Sequence, residues 1–175
     1  ETYMDEHTEQ YAQVVETLKT LEPGLLPLEI FYEVARLAVL PAVEVVPLRV
    51  RDGVVEVFLT QRPNNDPFWP GEWHNPGAIV RPTDESGSFT SAFKRVCNGE
   101  LGLPAYSDPV FVSSWLWHCL RGSAVSLIHW LDVTDVDIRV VGQFFPVHAL
   151  PTNVIQGMET IIVRAVEHYK QTKHI

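Results

Sequence analysis

Residues 71–103 constrain this chain more than any other stretch. They begin Gly71-Glu72-Trp73-His74-Asn75-Pro76-Gly77, an extended run into a Pro-Gly turn. A polar loop follows over 81–87. Ser88 then stands at an N-cap position ahead of a helix predicted over 89–101. Gly102 is the stop signal, and Gly99 inside the helix costs about 1 kcal/mol against alanine. A strand–loop–helix unit of this kind is suited to holding a metal and a phosphate.

The flanks say what surrounds it. Tyr11, Val14, Val15, Leu18 and Leu21 recur at helical spacing, which predicts an amphipathic helix over 5–21. A second helix is predicted over 28–40, ended by Pro41. Residues 43–50 are rich in β-branched side chains and read as a strand. Arg51-Asp52-Gly53 reads as a hairpin turn, because Asp-Gly accepts positive φ, and 54–60 as the returning strand. Residues 73–80 are extended. Two further strands, 110–119 and 123–133, are joined by Leu120-Arg121-Gly122. Another strand is expected over 139–145 and a closing helix over 151–171. Strands with helices before, between and after them imply a sheet covered by helices, and the early hairpin implies mixed strand directions.

Length and composition set outer limits. At 175 residues one domain is expected, with a helical extension over 1–40 and a core over 43–172. The hydrophobic fraction of 46% and charged fraction of 20% are ordinary for a soluble globular chain. No apolar run reaches bilayer length, so no membrane partner is expected. The first six residues are acidic and polar, unlike a secretory signal. A net charge of -9 with no basic stripe argues against nucleic acid, though small phosphorylated ligands need only local positive charge or a metal. Cys97 and Cys119 have no zinc-site spacing and read as reduced buried thiols, as in a cytoplasmic protein. No G-x-S-x-G, P-loop or G-x-G-x-x-G is present.

Three fragments resemble the Nudix hydrolase superfamily in order and spacing. They are the strand ending Leu59-Thr60-Gln61-Arg62, the lead-in Gly71-x-Trp73-x-x-Pro76-Gly77, and Ser88-x-x-x-Ala92-x-x-Arg95 followed by Glu100-x-Gly102-Leu103. The resemblance implies a Nudix-like α/β/α sandwich with a mixed sheet, preceded here by N-terminal helices. The family's box reads G-x5-E-x7-R-E-U-x-E-E-x-G-U, with U a bulky apolar residue. Its carboxylates bind Mg²⁺ or Mn²⁺, which holds a diphosphate for attack by water. Anchored on Arg95 and Gly102, the box glutamates fall on Gly87, Val96, Gly99 and Glu100, with Cys97 at the bulky position. The loop before Arg95 carries about four extra residues. One helix carboxylate stands where the family has three, so Mg²⁺ or Mn²⁺ is expected to be weakly held or absent.

Each candidate residue has two readings. Glu100 is the residual metal ligand and catalytic base, or a helix-end carboxylate in a surface ion pair. Asp84 and Glu85 are replacement metal ligands from the longer loop, or a solvated turn. Arg95 meets a phosphate, or pairs within the structure. Arg62 and Arg81 contact an anion, or are solvated. His74 touches ligand, or is a polar edge residue. Trp115 and Trp117 share a strand face and form a base-stacking wall, or pack the core. The resemblance implies a divalent-metal-dependent pyrophosphohydrolase of a nucleoside diphosphate linked to another group. The missing carboxylates imply an inactive Nudix-fold module that binds a nucleotide-like ligand or a protein partner. The N-terminal helices cover the sheet, or pair two subunits as a homodimer.

Overall fold

The computed structural model describes residues 8–175, so the first three positions of the helix expected over 5–21 lie outside them. The fold is assembled around β1 (Val39–Arg51), whose residues 42–48 are all buried. The strand begins four residues before the expected position. The helix before it, α2 (Leu28–Leu37), stops early because Ala38 is already extended, at φ -131° and ψ 161°. The β-branched Val39 and the restriction that Pro41 places on Leu40 favour extension there. Pro41 lacks a donor but its carbonyl accepts from the Val80 N–H at 2.9 Å.

The hairpin forms as expected. Asp52 and Gly53 take φ of +51° and +77°, and β2 (Val54–Gln61) returns antiparallel to β1. The extended run at 73–80 divides at Asn75-Pro76. β3 (Trp73–His74) pairs with β2, and β4 (Gly77–Ile79) with β1. β5 (Val110–Cys119) and β6 (Gly122–Asp132) form the second hairpin, and β6 runs parallel to β1 from Val39↔Ser123 to Leu48↔Asp132. β7 (Gln143–Pro146), shorter and later than expected, pairs with β2. Among the described residues the sheet is seven-stranded and mixed, with the central order β3-β2-β1-β6-β5.

Helices cover both faces, giving an α/β/α sandwich. On one face α4 (Met158–Lys173) packs Ile161, Ile162, Ala165 and Tyr169 against Val46, Leu48, Ile128 and Trp130. It starts seven residues later than expected, because Gly157 at φ +98° turns the chain. On the other face Ala92, Val96 and Cys97 pack against Val43, Val45, Phe58 and Leu131. The helix expected over 89–101 is only briefly α-helical, as α3 (Thr90–Lys94), and then widens into a π-helix over Arg95–Glu100. The widened turn closes with the Leu101 N–H on the Val96 carbonyl at 3.0 Å. Gly99, a weak helix former, sits in that turn. α1 (Thr8–Lys19) keeps Val14, Val15 and Leu18 exposed. Among the described residues no helix is long and apolar enough to cross a membrane.

Candidate functional site

Gly77 is the meeting point of two carboxylates. Its N–H donates to Glu100 Oε2 at 3.3 Å. Its register partner on β1 is Glu44, and a Cβ at position 77 would lie 2.4 Å from Glu44 Oε2. Only glycine leaves room for that side chain. Glu44 is 7% exposed, and its Oε2 accepts from Asn75 Nδ2 at 2.8 Å. Burial raises the Glu44 acid to about 7; the Asn75 amide and the Arg121 charge pull against this, and the charge of Glu100 adds to it. Burial also raises Glu100, opposed by the Gly77 N–H and by Arg62. Buried Asn75 Oδ1 beside them has no hydrogen-bond partner, while buried Ser126 Oγ faces Glu44 and holds its acid down a little.

The rim is cationic. Arg62 follows β2 and is held by Asp66 through Nε at 2.8 Å. Asp66 also takes the Trp69 and Phe68 N–H groups, at 2.9 and 3.0 Å. Burial opposes its charge, but these two donors and Arg62 together keep it below the usual carboxylate range. Arg121 comes from the β5–β6 turn and lies 5.4 Å over the Trp69 ring. His74 Nδ1 is 2.8 Å from the Asn75 carbonyl, which can only accept, so Nδ1 carries the proton and Nε2 faces Thr60 Oγ1 at 3.2 Å. Burial, then the nearby Arg62, lowers His74 to about 4, so the ring is neutral near pH 7. Glu44, Asn75, His74, Arg62, Arg121 and Trp117 line one cavity of about 100 Å³. A wider groove of about 670 Å³ adjoins it along Trp69, Trp115 and Trp117.

The other expected residues lie elsewhere or are engaged. Arg95 donates to Asp84 Oδ2 at 2.8 Å and to the Ile79 carbonyl at 3.0 Å, and its Nη1 reaches Asp84 Oδ1. The Arg95 hydrogen bonds pull Asp84 down to about 2 against the effect of burial. Arg81 and Glu85 are exposed. Trp117 is near-parallel to Trp69 and Trp115, with ring centroids 6.1 and 6.3 Å away. Trp115 has Arg164 5.9 Å over its ring.

A divalent cation needs several oxygens converging on one point. At the box positions Val96 is fully buried in the apolar core, Gly99 offers no side chain, and only Glu100 bonds to Gly77. Among the described residues no three His, Cys, Asp or Glu side chains are grouped to hold a metal. The residues present do not match the family's metal set. Sequence reasoning missed Glu44, Asn75 and Arg121. Glu44 did carry a signal, as the one charge within the apolar run 42–48.

No family model and no curated protein matches the sequence. Solved structures do match. The NUDIX domain of Shewanella oneidensis NrtR, complexed with ADP ribose, is 17% identical with a TM-score of 0.56, over 89% of this chain and 97% of that one. The MutT NUDIX hydrolase of Burkholderia pseudomallei is 20% identical with a TM-score of 0.54, over 71% and 97%. The C-terminal domain of mouse MUTYH, in complex with human PCNA, is 13% identical with a TM-score of 0.58, over 77% and 91%. Agreement this broad at such low identity concerns the backbone plan, and that plan, with its box segment between β4 and β5, is the Nudix hydrolase superfamily fold.

Proposed function

We propose that this chain is a non-hydrolytic Nudix-fold module that binds a small nucleotide-like ligand in the cleft beside Gly77. The fate of the box acids carries this reading. Val96 points into the core with no exposure, and Asp84 is committed to Arg95, so the carboxylates that would gather a cation around Glu100 are not free to do so. What remains is a pocket with acceptors on its floor and two arginines, Arg62 and Arg121, at its rim. Arginine suits phosphate without a metal. The likeness to a NUDIX domain complexed with ADP ribose supports a ligand of that general kind.

A divalent-metal-dependent pyrophosphohydrolase is the second reading, and one observation favours it: Glu44 and Glu100 both reach Gly77, which gives two carboxylates in one cleft. Calorimetric titration with a panel of nucleoside diphosphates and diphosphate sugars, ADP ribose among them, in chelator and then in Mn²⁺, separates the two. Saturable binding without metal, with no product formed on adding Mn²⁺, is expected. Turnover that appears with Mn²⁺ and disappears in Glu100→Gln would establish the hydrolase instead.

A further inference from the structure

We propose that the cleft floor reads a pair of adjacent N–H donors on a flat group, with the Glu44 carboxyl and Asn75 Oδ1 as the acceptors. This rests on the reading of the cleft as a ligand pocket and names the chemistry that enters it. Above about pH 7, where Glu44 is ionised, the floor presents two acceptors, the Glu44 carboxylate and Asn75 Oδ1. Asn75 is 1% exposed and gives its Nδ2 to Glu44 at 2.8 Å, yet its Oδ1 has no partner. Buried amide oxygens are rarely left so, because the lost hydration is not replaced. Both Glu44 and Asn75 line the cavity. Glu100 adds a further carboxylate, held by the Gly77 N–H.

A phosphate fits this floor badly, since it would bring acceptors to acceptors. It fits the rim, where Arg62 and Arg121 stand. The ligand is therefore polarised: anionic end at the arginines, N–H-bearing end at the floor. Two adjacent N–H donors form a fork that divides between the Glu44 carboxylate and Asn75 Oδ1, because Glu44 Oε2 already accepts from Asn75 Nδ2. The N1–H and 2-amino edge of guanine presents the same fork, and a free guanidinium compound is the other source of it. Ile155, Met158 and Trp117 supply an apolar wall for the flat body of either.

The test uses the whole chain in chelator at pH 8.5, where Glu44 is ionised, titrated with GDP, IDP, ADP and agmatine. GDP is expected to bind at least about tenfold more tightly than IDP, which lacks the 2-amino group, because a site built around a donor rejects the analogue that leaves it unpaired. Glu44→Gln, which keeps the shape, is expected to erase that difference. Arg121→Ala is expected to weaken GDP and IDP alike. Equal binding of GDP, IDP and ADP would overturn the donor reading while leaving a nucleotide pocket. Agmatine binding without any nucleotide binding would keep the donor reading and remove the nucleotide one. Binding of none of the four would remove both. The comparison of GDP with IDP needs only the native protein, so a variant that fails to fold does not spare the proposal.

Discussion

Replacing Glu44 by glutamine should change how stability depends on pH. In the unfolded chain this acid titrates near 4.5, and in the fold burial raises it to about 7. The folded state thus holds the proton more tightly. The contribution is fully present below about 4.5, falls as pH rises toward 7, and stays lost above that. At 1.36 kcal/mol per unit, the native protein gives up about 3 kcal/mol across the window. Glutamine has no proton to lose and still offers an oxygen to Asn75. For a chain of this size that loss corresponds to about 6–12 °C in melting temperature. Melting curves of native and Glu44→Gln protein from pH 4 to 8.5 should therefore diverge, with the variant the more stable at pH 8. Parallel curves would refute the reasoning. A Glu100→Gln protein should move the native inflection to lower pH, since the charge of Glu100 helps to raise Glu44.

Three further outcomes follow from the same geometry. Val96→Glu places a carboxylate where exposure is 0% and should destabilise by more than about 4 kcal/mol in denaturant melts, whereas Gly99→Glu meets nothing within 4 Å and should gain about 0.5–1 kcal/mol from better helix propensity. Asp84→Asn removes the partner that holds Arg95. Because Asp84 is lowered to about 2, its contribution is present above the ordinary carboxylate range and lost as pH falls toward 2; the native protein should show this acid loss in melts and the variant should not. Gly122→Ala brings a Cβ within 1.9 Å of the Ala35 carbonyl and should lower the melting temperature by several degrees, since that contact is backbone and cannot yield.

Much of the architecture was legible because it rests on local signals. Asp52-Gly53 dictates the first hairpin, and the β-branched run at 43–50 marks β1. The errors fall where tertiary pairing overrides local preference. Residues 39–42 join β1 because β6 lies ready to pair with them. The helix at 95–100 opens into a π-turn, which no periodicity of apolar residues signals. The lost box carboxylates could be read directly. What could not be read was which acids meet. The expected loop acids Asp84 and Glu85 turn away from Gly77 in function, one paired with Arg95 and one exposed, while Glu44 arrives 33 positions earlier in the chain through strand pairing. A long-range register of this kind leaves no mark at either position alone.

The β5–β6 turn touches α2. The Ala35 carbonyl lies hard against Gly122, and the neighbouring Arg121 guanidinium is 5.6 Å from the Phe31 ring. One of the two rim cations thus stands between a ring of α2 and the Trp69 ring of the core. The mouth of the pocket therefore depends on α2 for one of the two rings beside the Arg121 guanidinium, whereas Glu44 and Asn75 rest on the sheet and its loops. Trimming the chain to its sheet and closing helices would leave that arginine with the Trp69 ring alone.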